Sequence, residues 1–226
     1  MRILITGSSR GIGRQLAEYY LGWDAEVWGF SRSFAPAELT KWNTYHHHTL
    51  SVSDEESVSY TFKTIPPMDV IINNAGIASM NSIITMPLST VRQIVDTNFI
   101  GTFLVSREGA KRMKSGGRII NFSSIAVPMN LEGESVYAAS KAAIESITRT
   151  MAREFTVRDI TVNCIGLPPI DTDLIKNVPQ EKIDAIINRL IIKRKCEMRD
   201  IINAIQFFTY SRSDYVSGQT IYLGGL

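Results

Sequence analysis

Short apolar, β-branched runs alternate along this chain with longer stretches of helical period, the pattern of βαβ units wound around a parallel sheet. The strands read as Arg2–Thr6, Glu26–Phe30, His47–Leu50, Asp69–Asn73, Arg118–Phe122, Thr161–Ile165 and Thr220–Leu223. Consecutive apolar positions, as in Val70-Ile71-Ile72, suit strands covered on both faces. The clearest helix runs from Ser135 to Phe155, where Val136, Ala139, Ala143, Ile147, Met151 and Phe155 recur at three- and four-residue steps. A second is expected from about Ser89 to Met113, weakened in its middle by Gly101. No repeat and no Pro/Gly/Ser linker divides the 226 residues. The expectation is one α/β domain over 1–226, a doubly wound, seven-stranded parallel sheet of the Rossmann type with helices on both faces.

Composition narrows the function. Apolar residues at 44% and charged residues at 20% are ordinary for a soluble globular protein. The formal charge of +2 is spread along the chain, without the basic stripe that nucleic acid requires, so no nucleic-acid partner is expected. The basic run Lys193-Arg194-Lys195 reads as solvated surface. Cys164 and Cys196 are too few for a disulfide framework and form no C-x-x-C pair, so reduced thiols and a cytoplasmic setting are expected. The opening Met1-Arg2-Ile3-Leu4-Ile5 stops at Thr6-Gly7, short of a signal sequence, and no apolar stretch reaches bilayer length. No membrane partner is expected. His46-His47-His48 holds every histidine, but neighbouring side chains in an extended run face opposite sides, so no metal site is expected there. Trp23, Trp28 and Trp42 read as packing or rim residues around strand two, and Cys164 as an inert core thiol.

The first strand runs directly into Thr6-Gly7-Ser8-Ser9-Arg10-Gly11-Ile12-Gly13, after which a helical period begins. A strand, a glycine turn and a helix N-terminus together expose backbone N–H groups and a positive dipole end, which favour a phosphate. Gly7, Ser9, Arg10, Gly11, Ile12 and Gly13 are therefore candidate cofactor contacts. Strand two ends at Trp28-Gly29-Phe30-Ser31-Arg32. In such folds an acid at that end binds the ribose 2′-OH of NAD, whereas an arginine accommodates a 2′-phosphate. Ser31 and Arg32, with Arg10, point to NADP(H) rather than NAD(H).

Tyr137 and Lys141 are four residues apart near the start of the long helix and share a face. An ammonium within about 4 Å of the phenol would favour its ionised form by up to about 4 kcal/mol, or about three pKa units, at an effective dielectric near 20. The expectation is a phenol brought toward neutrality, ready to exchange a proton with a substrate oxygen. Ser123-Ser124 closes the strand from Arg118, at the sheet edge where parallel folds present ligands, so Ser124 can hold that oxygen. Strand Asp69–Asn73 ends in Asn73-Asn74-Ala75-Gly76, and Asn74, Ala75 and Gly76 suit a cofactor groove.

Taken together these residues resemble the short-chain dehydrogenase/reductase family in its compact form, as in 3-oxoacyl-acyl-carrier-protein reductases and related ketoreductases. Thr6–Gly13 resembles its cofactor loop, Asn73-Asn74-Ala75-Gly76 its N-N-A-G motif, and Tyr137-Ala138-Ala139-Ser140-Lys141 its Y-x-x-S-K motif. Ser217-Gly218-Gln219 through Gly224-Gly225 resembles its closing strand. The resemblance implies a catalytic tetrad of Asn98, Ser124, Tyr137 and Lys141. Tyr137 would be the acid/base, Lys141 would lower its pKa and hold the nicotinamide ribose, Ser124 would orient the substrate oxygen, and Asn98 would support a proton-relay water. It also implies that Thr172 contacts the nicotinamide carboxamide and that the segment of about 167–197 forms the substrate loop. Two departures stand out: Ser51 replaces the family's adenine-side Asp, and Gly166-Leu167-Pro168-Pro169-Ile170-Asp171-Thr172 lacks its Pro-Gly turn.

The function expected from these readings is hydride transfer between NADP(H) and a small or carrier-borne carbonyl/alcohol substrate, in a homodimer or homotetramer. A sugar-nucleotide epimerase or dehydratase of the extended branch needs more than the roughly 50 residues that follow Thr172. A catalytically silent NADP(H)-binding regulator or scaffold is the other alternative.

Overall fold

In the computed structural model, which describes residues 1–172, 175–176 and 178–226, seven parallel strands form one sheet in the order β3-β2-β1-β4-β5-β6-β7. The strands are β1 (Arg2–Thr6), β2 (Glu26–Ser31), β3 (Tyr45–Thr49), β4 (Val70–Asn73), β5 (Arg118–Ser124), β6 (Thr161–Leu167) and β7 (Thr220–Tyr222). This is the doubly wound Rossmann order. The connections reverse direction between β1 and β4, which opens a crevice at the carboxyl ends of those strands.

Alternation along the strands splits the core into two layers. Ile3, Ile5, Val27, Ile72, Ile120 and Ile165 face helices α1 (Gly11–Leu21) and α8 (Met198–Thr209). Leu4, Phe30, Ile71, Ile119 and Val162 face α2 (Glu55–Thr64), α4 (Gly101–Arg112) and α6 (Ser135–Phe155). The short α5 (Ala126–Met129) follows β5, and α7 (Gln180–Arg189) precedes α8. Local chemistry fixes several helix ends. Asp54 accepts the N–H of Ser57 to start α2, with Glu55 and Glu56 in the first turn and Lys63 in the last. Glu197 and Asp200 form a capping box at α8.

Two elements depart from expectation. Strand β3 starts at Tyr45 rather than His47, because Tyr45 pairs with Val27 and the register carries His47 opposite Gly29. The helix expected from Ser89 to Met113 is broken into α3 (Leu88–Val95), a π-turn (Asp96–Ile100) and α4. Gly101, which looked like a weak point, is a packing requirement. A Cβ there would overlap the Val52 side chain, with Val52 Cβ only 3.0 Å away. The widened turn instead surrounds Asn98, in keeping with the concentration of π-bulges at functional sites.

This contact makes a stability prediction. Gly101→Ala should lose about 1–3 kcal/mol in urea denaturation despite alanine's better helix propensity, because the methyl overpacks against a stiff β-branched side chain. The same change in a Val52→Ala background should cost close to nothing; equal losses in both backgrounds would contradict the packing explanation.

Candidate active site

The glycine loop after β1 is built for close approach. Gly7 has φ +70°, and a Cβ on Gly13 would collide with the Gly7 carbonyl and the Asn74 amide. Asn74 Nδ2 donates to the Thr6 carbonyl at 2.8 Å, and the Ala75 N–H donates to Thr6 Oγ1 at 2.9 Å. The turn after β4 thus clamps the turn after β1. Helix α1 begins without a side-chain cap at Arg10 and without an acid in its first turn, so its N-terminal dipole end is available to an anion.

This loop forms one wall of a groove of about 800 Å³, within the range of about 300–1,000 Å³ typical of small-molecule sites. Gly7, Ser9, Arg10, Gly11, Ile12, Ser31, Arg32, Asn74, Ala75, Gly76, Tyr137, Lys141 and Thr172 all line it. Gly13 is buried behind the loop instead. At one end stand Ser31, the exposed Arg32 and Ser33, with Ser31 Oγ donating to the Ser33 carbonyl at 2.8 Å. Ser51 lines the same end and meets Ser53 Oγ at 2.9 Å. No Asp or Glu belongs to the described lining. A cradle too tight for Cβ atoms, an uncapped helix end and a cationic strand terminus fit a phosphorylated dinucleotide.

The other end is set by the packing of α6 on β5. Lys141, four residues after Tyr137, is buried and donates Nζ to the Phe122 carbonyl at 2.8 Å. Its Nζ lies 5.8 Å from the centre of the Tyr137 ring. Tyr137 is partly open to the groove, and Ser124 lies close enough to its phenol to favour the ionised form. Ser124 Oγ also accepts the Ala126 N–H at 3.1 Å, which leaves its own hydrogen to be directed outward. Ser124 itself is buried behind the phenol.

The lysine does not lower the phenol's pKa as expected. Burial pushes Tyr137 up to about 12; the nearby Ser124 hydroxyl opposes this and the Glu134 carboxylate adds to it. Burial also pulls Lys141 down to about 8. A desolvated ammonium committed to a backbone carbonyl gives the phenol little Coulombic help.

Asn98 is almost fully buried and does not line the groove. Its amide donates to the Ile77 carbonyl at 2.9 Å and to Ser140 Oγ at 3.0 Å, and its Oδ1 accepts the Ile77 N–H at 2.8 Å. Ser140 Oγ in turn donates to the Tyr137 carbonyl at 2.7 Å. The Asn98 carbonyl, within the π-turn, accepts Thr102 Oγ1 at 2.8 Å. Asn73, next to the groove in sequence, turns inward to Ser106 and Asn121. A Cβ on Gly11 would come within van der Waals contact of the Thr172 side chain, and Asp173, Leu174 and Asn177 lie outside the described residues.

Sequence reasoning missed Thr6, Ser140 and the Phe122 carbonyl as supports. Ser140 carried a signal, as the serine of Y-x-x-S-K. The other two act through contacts distant in sequence.

Comparison with known proteins agrees with this geometry. The family described as enoyl-(acyl carrier protein) reductase matches residues 7–225. A 3-oxoacyl-acyl-carrier-protein reductase of Vibrio harveyi is 32% identical over 231 residues, which cover 98% of this chain and 95% of that protein. A solved short-chain dehydrogenase/reductase family protein superposes with a TM-score of 0.86 at 28% identity, covering 100% of this chain and 96% of its own. A 4-hydroxyisoleucine dehydrogenase mutant has the same fold, with a TM-score of 0.92 at 24% identity and coverage of 100% and 98%. With matches that span the glycine loop, the N-N-A-G turn and the Y-x-x-S-K helix, the chain belongs to the short-chain dehydrogenase/reductase family of oxidoreductases.

Proposed function

We propose that this protein is an NADP(H)-dependent ketoreductase, or the reverse alcohol dehydrogenase, with Tyr137 as its acid/base. The observation that carries the reading is the placement of Tyr137 and Lys141 at one end of a groove whose other end presents Ser31 and Arg32, with Ser124 close enough to the phenol to oppose its upward shift. When bound, the reduced nicotinamide supplies the hydride.

The chain's own residues handle position and proton. The α1 N-terminus and the glycine loop hold the pyrophosphate, and Arg32 pairs with the 2′-phosphate through a planar, permanently charged fork. Ser124 directs its hydroxyl at the substrate oxygen. Tyr137, kept protonated by burial, gives its proton to that oxygen as negative charge develops there. Lys141 holds the nicotinamide ribose, and Thr172 lies along the groove toward the substrate side. Asn98 acts through Ser140 and Ile77 rather than on the substrate, so it is a positioning residue.

The substrate enters beside the segment of about 167–197. A second cavity, of about 450 Å³, shares Gly11 and Thr172 with the groove and is lined further by Ile175, Val178 and Ile183 together with Asp171, Lys176 and Gln180. The Vibrio harveyi relative, named for a carrier-borne 3-oxoacyl substrate, supports a carrier-borne carbonyl. Lys195 fixes this segment by pairing with Asp171 at 2.9 Å. Exposed Ile83, Ile84 and Leu88 at and before α3 support a homo-oligomer.

Three measurements test the reading. Tyr137→Phe should lower ketone-dependent NADPH oxidation about 10²–10⁴-fold while the NADPH dissociation constant stays within about threefold. Cofactor binding without turnover on any carbonyl by the unaltered protein would instead indicate a silent binding protein. Arg32→Asp should cut the preference for NADPH over NADH at least about tenfold; full retention of the preference would contradict the assignment of strand two. For pH, the charged form of Lys141 exists below its pKa of about 8 and the neutral phenol persists to about 12. Reductive kcat/KM should therefore be level from about pH 6.5 to 7.5 and fall as pH rises through about 8. A profile level to pH 10 would exclude a role for the ammonium.

A further inference from the structure

The histidine run at the edge of the sheet is not three equivalent residues. His46 stacks on Trp28 and pairs with Glu26. His48 packs edge-on against Phe30; burial first, and the neighbouring imidazoles next, hold it below the usual histidine range. His47 faces the other side, opposite Gly29. There its Nε2 lies 2.9 Å from the Ser33 carbonyl and 3.3 Å from Ser31 Oγ, and its Nδ1 lies 2.8 Å from the Tyr45 hydroxyl. Tyr45 Oη is in turn 3.2 Å from Ser8 Oγ in the glycine loop. Gly29 makes the room, since a Cβ there would overlap both the Tyr45 and Ser8 hydroxyls.

This chain of contacts links the loop assigned to the pyrophosphate with the Ser31–Ser33 turn that presents Arg32. A carbonyl only accepts, so His47 Nε2 carries a hydrogen and donates to Ser33. The Tyr45 hydroxyl stands between His47 Nδ1 and Ser8 Oγ. Burial pushes the Tyr45 phenol up, so it remains a hydroxyl. The groups facing His47 are Tyr45 from its own strand, Ser31 and Ser33 flanking Arg32, and Ser8 by way of Tyr45. Among the described residues, no carboxylate hydrogen-bonds to it: Glu26 binds Arg2 and His46, and Glu38 pairs with Arg14.

We propose that His47 is a positioning and specificity residue for the cofactor's 2′-phosphate, holding the Ser31–Ser33 turn through the Ser33 carbonyl and tying it to the glycine loop through Tyr45 and Ser8. This rests on the NADP(H) reading of strand two. The turn held by His47 is the one that presents Arg32, so loss of the His47 contacts weakens binding of the 2′-phosphorylated dinucleotide more than binding of NADH, which lacks that phosphate.

The test is fluorescence titration of NADPH and NADH at about pH 8.5 with the unaltered protein, His47→Gln and His47→Leu. The NADPH/NADH affinity ratio of His47→Gln, which keeps a donor, should match that of the unaltered protein within about twofold, and His47→Leu should lower it about three- to tenfold. Equal ratios in all three proteins, with a clear NADPH preference, would overturn the role of His47 alone. An unaltered protein without NADPH preference would overturn the cofactor reading and this inference with it.

Discussion

A buried ammonium tied to a backbone carbonyl organises the chemistry of this fold. Lys141 reaches from α6 to the Phe122 carbonyl, which lies in β5 one residue past the last pairing with β4, that of Asn73 with Asn121. The contact sets the rotation of α6 against the sheet. Tyr137, one helical turn earlier on the same face, is thereby brought against Ser124. Desolvation acts on both titrating groups in opposite directions, raising the phenol and lowering the amine, as expected when burial disfavours whichever form is charged. The result is a proton donor kept loaded rather than a phenol poised to ionise.

Two asparagines connect this end of the groove with the phosphate end. Asn74 fastens the glycine loop by its amide, and Asn98 joins the segment after β4, at Ile77, to Ser140 between the tyrosine and the lysine. The π-turn gives Asn98 its place inside the helix, and Gly101 lets that helix lie close to Val52. Asn98 is a buried amide with its hydrogen bonds met inside the protein, the condition under which polar groups rigidify a site rather than weaken it. The groove between them is consequently bordered on both sides by backbone held through side-chain contacts.

The fold was legible because its signals are local. Alternating strand and helix periods placed all seven strands, and the glycine loop and Y-x-x-S-K helix announce themselves within a few residues. The family resemblance carried Asn98 and Ser124, which nothing local distinguishes. Contacts across the chain were not legible: Thr6 meets Ala75, 69 residues away, and Lys141 meets Phe122, 19 residues away. The direction of the tyrosine's shift was also hidden, since helical spacing shows that two side chains share a face but not how deeply both are buried. The position of His47 beneath Ser31 depended on a β3 register that begins two residues earlier than the apolar pattern suggested.

Burial outweighs the neighbouring lysine at Tyr137, and the ionisation of that phenol in the free protein tests this. Tyrosinate absorbance, followed from pH 8 to 11 for the unaltered protein and Tyr137→Phe, should give traces that overlay, because this residue ionises only near 12. An additional tyrosinate in the unaltered protein by about pH 9 would show that the lysine dominates and would contradict the account.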